Sequence, residues 1–450
     1  MHETRTLAQF VRETRYEDLP ASLIDDGKIA TLDTVGAAFV GTAQPWARTM
    51  VAMVHDLGGT PDATVIHYPW QTDMARAALA NGALIGAFEC EPLTGSHASG
   101  TVLPAALAVS QREHLSGQAF LTALALGFEI QARIARTAVG LEAVRGFHNP
   151  GTQGPFGAAV ATGKLYDFAT DTLTSALGLA GSCSAGLLEF AWTGADTKRI
   201  HLGRASQLGL ESALLAHRGL QGPPTVLEGR YGYYNAFSEP TDPAQLVEGL
   251  GSTWIMQPSS LKSFATHVTH QSVVQAIQEW KQTHTVDPQA ITRIAIHGAQ
   301  RIMEARHAVR DPHNVMGGQY SLPFTTAVAL TRDMDNPLVY NDEAVHDPVV
   351  RDLAQRIELI PDDTAQIAHG VFPSTVLIEH AGQSYTLPTQ PHKGSPRNPM
   401  TWDDACTKFR RFTRELISTA QADAIIAAVG DLENMSDIAT FAALLRQADN

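Results

Sequence analysis

From residue 1 to about residue 250, apolar positions recur at every third or fourth place, the period of a helix with one buried face. "SLIDDGKIATLDTVGAAFVG" reads as such a helix, as do "ARAALANGALIGAF", "SGQAFLTALALGFEIQARIARTAVG", "FGAAVATGKLYDF" and "LGRASQLGLESALLAHRGL". Ala and Gly dominate several of the buried faces, which lets neighbouring helices approach closely. In the third stretch Glu129 and Arg133 stand one turn apart on a shared face. The run "ARAALANGALIGAF" is too short for a membrane span and leads straight into two glutamates, so it predicts a buried helix.

After about residue 255 the period changes. "ITRIAIHG" alternates as a strand does, and "PSTVLIEHAGQSYTL" reads as two strands around a Gly-containing turn. "HQSVVQAIQEWKQTH" and "VVRDLAQRIEL" predict helices between them. A Pro- and Gly-rich stretch, "PTQPHKGSPRNPMTWDD", closes this part, and "ACTKFRRFTRELISTAQADAIIAAVGDL" returns to the helical period. The pattern predicts a mainly α protein. Residues 1–254 and 397–450 form one large helical domain from both chain ends, and a smaller α+β domain at 255–396 is inserted between them.

Composition narrows the function classes. A formal charge of -14 argues against nucleic acid and against docking on anionic membranes. The 3 cysteines are scattered without CxxC spacing, which fits a reducing compartment, and the N-terminal residues have no apolar leader core; the cytoplasm is the expected location. There is no P-loop and no GxGxxG in a βαβ setting. "GSCSAG" lacks the spacing of a nucleophile elbow.

Against this acidic background, five segments share one layout, with a basic or phenolic residue among small or polar neighbours close before a helix start. They carry His97 ("GSHASG"), His148 ("FHNPGTQG"), Lys198 ("GADTKRIH"), Lys262 with His267 ("LKSFATH"), and Tyr320 ("QYSLPF"). A helix N-terminus offers unpaired N–H groups and the positive end of a dipole, which suits a carboxylate. The same dipole disfavours a protonated imidazole and so keeps a histidine ready as a base. If the segments converge, they make a site for a small polycarboxylate. His267 and His270 are spaced for chelation, but no acid or cysteine accompanies them, and no metal is assigned.

Taken in order, these segments resemble the MmgE/PrpD family, whose members include 2-methylcitrate dehydratase, cis-aconitate decarboxylase and iminodisuccinate epimerase. The resemblance runs from "LDTVGAAFVG" through "SHASGTVLPAALA", "GFEIQARIA" and "GFHNPGTQGPFGAAVATGKL" to "QYSLPFTTAVAL" and "KGSPRNPM". Its most specific block is "GSCSAGLLEFAWTGADTKRIHLGRASQLGLESALLAHRGLQGPPTVLEG". It implies the same two-domain fold, usually a homodimer, with a cleft between the domains that needs neither metal nor organic cofactor. It also implies His97, His148, Lys198, His267 and Tyr320 as catalytic residues. Lys262 corresponds to the lysine of the family's lid segment and, with Glu89, Glu91 and Ser96, is expected on the substrate.

The chain departs from the family where an aspartate-rich run normally precedes the first histidine. Here the stretch is "FECEP", with Cys90 between Glu89 and Glu91, which points to an altered substrate preference. The expected chemistry is abstraction of a proton next to a carboxylate with loss of water. Epimerisation and decarboxylation are the alternatives through the same site, and a non-catalytic polycarboxylate binder is the competing class.

Overall fold

A computed structural model describes residues 2–93, 96–141, 144–257, 259–367 and 371–447. The fold is mainly α with a small α+β region, as the pattern predicts. The helices Ala21–Thr42, Met74–Ile85, Ala98–Arg112, Gly117–Thr137, Asn149–Leu165 and Lys198–His217 pack on one another in the N-terminal part. The C-terminal helix Trp402–Thr413 returns to this bundle, where Phe409 meets Phe39 edge-on with ring centroids 6.4 Å apart. No described helix is long and apolar enough to cross a membrane.

Glycine sets how close the helices come. A Cβ on Gly82 would lie 2.4 Å from Gly203 Cα, and one on Gly203 would lie 2.2 Å from the Leu79 carbonyl oxygen. The helices Met74–Ile85 and Lys198–His217 therefore cross backbone to backbone. That contact fixes the helix whose first residue is Lys198.

The α+β region is built on a four-stranded sheet in the order Ile357–Pro361, Ile291–Gly298, Ser374–His380, Gln383–Pro388. The first pair is parallel and the other two are antiparallel. Side chains of Ser374–His380 alternate strictly between buried and half-buried, so one face packs on helices while the other is nearer solvent. Helix Gln271–Lys281 buries Val273, Val274 and Ile277 in the same core. That core also includes Phe88 and Cys90, so the loop carrying the two glutamates is packed between the helical bundle and the sheet region.

Three local readings change. "VVRDLAQRIEL" is not one helix: the helix ends at Arg356 and Ile357 starts a strand. The apolar pattern there suits either period, and pairing with Ile291–Gly298 decides it. Tyr320 is not in a loop; it ends a short helix, Val315–Tyr320, and Ser321 then caps Leu322–Thr331 by accepting from the Phe324 N–H at 3.0 Å. Thr197, whose place before Lys198 suits a cap, is in helical geometry and makes no side-chain cap bond.

The close crossing yields a test. Gly203→Ala forces backbone apart and should lower the free energy of unfolding by about 1–3 kcal/mol. Gly27→Ala, whose Cβ would meet only Leu121 Cδ2 at an ordinary 3.4 Å, should cost little or stabilise the helix. Urea unfolding of both variants checks this; equal midpoints would contradict the packing argument.

Candidate active site

Glu89 and Glu91 sit in the loop between the helices Met74–Ile85 and Ala98–Arg112, and both are only 1% exposed. Two carboxylates cannot be left uncompensated at that depth. Glu89 pairs through one oxygen with the Lys198 ammonium and through the other with Lys262 at 2.9 Å. Lys262 also lies 3.6 Å from Glu91, whose remaining oxygen accepts from His97 Nδ1 at 2.8 Å. The result is a buried chain of alternating charge, Lys198–Glu89–Lys262–Glu91, that ends on the His97 ring. Lys198 comes from the helical bundle and Lys262 from the segment leading into the α+β region, so the chain ties the two together.

The other candidates extend this chain at both ends. His148 lies beside His97, ring centroids 6.2 Å apart, and its Nδ1 is 2.8 Å from Nδ1 of His201. Phe190 meets His148 edge-on at 4.9 Å. At the far end the Lys198 ammonium stands 5.1 Å from the centre of the Tyr320 ring, and Tyr320 packs on His267 at 4.8 Å. A cavity of about 270 Å³ opens here, lined by Phe190, Trp192, Arg306, Asn314 and Tyr320 among others. The segments singled out in the sequence thus converge. Ser96 is the exception in kind: its carbonyl accepts from Gln131 at 3.0 Å, which anchors the loop.

Backbone strain marks the same loop. Glu89, Ser96 and His97 have φ of 57°, 65° and 62°, the left-handed region that non-glycine residues seldom adopt. His97 immediately precedes the helix Ala98–Arg112, so this conformation turns its side chain out of the helical path. Such strain persists only where surrounding contacts over-determine it. Here the Glu91 contact and the Gln131–Ser96 bond supply them.

Burial sets the protonation states. It pushes His148 well below the usual imidazole value, and His201 and His97 push it further. His267 is likewise held well below by burial, then by His307, His270, Lys262 and Lys198. Burial also works to raise the Glu91 carboxyl, but Lys262 and the His97 bond outweigh it and hold it at about 2. Burial and the cations Lys262, Arg199 and Arg306 push Lys198 well down. Its contact with Glu89 opposes that and favours the charged ammonium.

Sequence reasoning missed several participants. Lys408, on the returning helix Trp402–Thr413, donates to the Cys90 carbonyl at 3.1 Å and pairs with Asp33 at 2.6 Å, holding the acidic loop from below. Arg199 is buried over the Trp46 ring at 5.0 Å, and Gln319 bridges the Phe88 and Ala265 carbonyls at 3.0 and 2.9 Å. His201 was readable, three residues after Lys198 on the same helix face. His307 and Lys408 had no local signal, because only the fold brings them near.

Comparison with known proteins settles the lineage. The MmgE/PrpD N-terminal domain matches residues 5–246 and the MmgE/PrpD C-terminal domain residues 264–434. The chain belongs to the MmgE/PrpD family. Among MmgE/PrpD relatives, the cis-aconitate decarboxylase of Aspergillus terreus is 25% identical over 98% of this chain and 95% of its own length. Those of Homo sapiens and Mus musculus are 25% and 24% identical, again over 98% of this chain and over 94% and 93% of theirs.

The buried imidazoles predict an acid-sensitive fold. The folded state holds His148, His267 and His270 deprotonated, whereas the unfolded chain takes up protons near 6.5. Stability from this source is complete above that value and is lost as pH falls through and below it. The urea midpoint should drop between about pH 7.5 and about pH 5.5, before the carboxylates titrate. A midpoint unchanged over that interval would contradict the assignment.

Proposed function

We propose that this MmgE/PrpD chain is a cofactor-independent lyase of a small di- or tricarboxylate, and that the group it removes is carbon dioxide. The observation that carries the proposal is the convergence of two lysines, three imidazoles and a phenol on one cleft around the Glu89–Glu91 loop. The full-length similarity to cis-aconitate decarboxylases supports the choice of leaving group.

In this reading Lys198 and Lys262 hold the carboxylates that stay on the substrate. Loss of carbon dioxide breaks a C–C bond and leaves its electron pair on carbon, delocalised into the remaining unsaturated carboxylate. Lysine ammonium groups stabilise that developing charge in a dry site. A proton from His97 completes the product, with Glu91 as the counter-charge while His97 carries it, and water then restores the proton. Glu89 and Glu91 act through the lysines and His97 and do not touch substrate themselves. This places the Glu-Cys-Glu departure from the family pattern in the layer that aims the cations.

A second reading, loss of water, is favoured by one specific observation. Loss of water starts with a base that takes a proton next to a carboxylate, and His148 and His267 are both held in the deprotonated, accepting form. Either imidazole can take the proton next to a carboxylate while Tyr320 donates to the departing hydroxide.

One experiment separates these. Protein is incubated in deuterated buffer with a panel of unsaturated, hydroxylated and amino di- and tricarboxylates and followed by NMR. Decarboxylation gives carbon dioxide and one deuterium on carbon; dehydration gives a new alkene without carbon dioxide; epimerisation gives deuterium uptake without net change. His97→Gln should lower kcat/KM by about 10²–10⁴-fold. If no compound reacts with the unmodified protein, the lyase reading fails and a binding role takes its place. For the dehydration reading, the rate should stay flat as pH falls through 6.5 and decline only at more acid pH, because His148 is held below that value. A decline centred on 6.5 would remove His148 as the base.

A further inference from the structure

Packed beside the Tyr320 ring lie three histidines from two separated segments. His267 and His270 flank a single 3-10 turn, and His307 follows the strand Ile291–Gly298. One ring nitrogen from each lies within 4.8 Å of the other two, the single such grouping of three or more metal-ligating side chains among the described residues. The ring centroids are 4.6 Å (His267–His307), 5.3 Å (His270–His307) and 5.7 Å (His267–His270) apart.

The hydrogen bonding of His307 is that of a metal ligand, whereas the acceptor role of His267 Nδ1 has to reverse for its Nε2 to bind. His307 Nδ1 donates to the Tyr320 carbonyl at 3.0 Å, which fixes its tautomer and leaves the Nε2 lone pair free. His267 Nδ1 is held by Thr269, whose hydroxyl is 2.9 Å away and whose N–H donates to it at 3.4 Å. His270 Nδ1 faces the Thr266 hydroxyl at 3.4 Å. His270 and His307 are each 0% exposed, and the Nε2 of each is buried with no hydrogen-bond partner. A buried lone pair without a partner costs free energy unless something accepts it.

We propose that His267, His270 and His307 form a site for one divalent transition-metal ion of the zinc class. Three imidazoles with an open fourth position are a recurrent zinc ligand set, and all three rings are deprotonated as binding requires. The charged groups that face the triad are Lys198, Lys262, Arg301 and Arg306. The two lysines are compensated by Glu89 and Glu91, while Arg306 and Arg301 share the single Glu304 carboxylate at 3.2 and 3.8 Å. The surround therefore keeps one net positive charge, and the imidazole lone pairs have to outweigh it to hold a dication. His267 belongs both to this triad and to the cleft, so an ion bound here withdraws it from proton transfer to substrate.

The test uses full-length protein stripped with a chelator, carrying Cys183→Ser to remove the exposed thiol. Zn²⁺ is titrated against a chromophoric indicator. The expected result is one tight equivalent per chain, weakened by about tenfold or more in each of His270→Gln and His307→Gln. No tight equivalent, or one that both variants retain, would overturn the proposal. Should a variant fail to fold by circular dichroism, X-ray absorption of the zinc-loaded protein decides. A shell with three imidazoles supports the site, and a sulfur- or carboxylate-dominated shell removes it.

Discussion

The buried pairing of Glu89 and Glu91 with Lys198, Lys262 and His97 is the constraint around which the rest of the molecule is arranged. Moving an ion out of water costs several kcal/mol, and removing one partner from a buried pair costs about 3–5 kcal/mol. These residues sit on three separate segments, so the bundle, the acidic loop and the start of the α+β region must all be in place at once for any of them to be compensated. The network joins these parts and balances their buried charge in a single act.

Other buried polar contacts serve the same end from farther out. Lys408 reaches up from the returning C-terminal helix to the Cys90 carbonyl and Asp33, so the last part of the chain supports the loop near its beginning. Arg133 pairs with Glu129 at 2.6 Å and donates to the carbonyls of Leu246, Glu248 and Thr253, while Glu129 accepts from the Met256 N–H. That second network holds the strand-poor segment between the two regions of the fold. In both cases a fully buried ion has its bonding capacity met by backbone groups of another element, which makes it a positional lock.

Much of this was legible in the chain because the signals were local. Helical period and strand alternation located most elements. Helix-start chemistry picked out His97, His148, Lys198, His267 and Tyr320. Errors fell where two periods fit equally, as at Ile357, or where a short helix ends directly at the cap of the next, as at Tyr320. Glu89 and Glu91, expected on the substrate, are buried and paired with cations.

The sequence by itself marked out the candidate residues and placed His97, His148, Lys198 and His267 at helix starts, because period, capping and residue type act over a few positions. Tertiary structure decided what each one faces. Whether Lys198 meets a carboxylate or solvent depends on a glycine crossing between two helices, and whether His267 and His270 gain a third imidazole depends on where the chain returns after a strand. Charge compensation and ligand geometry act across space between segments far apart in the chain, and only packing sets those distances.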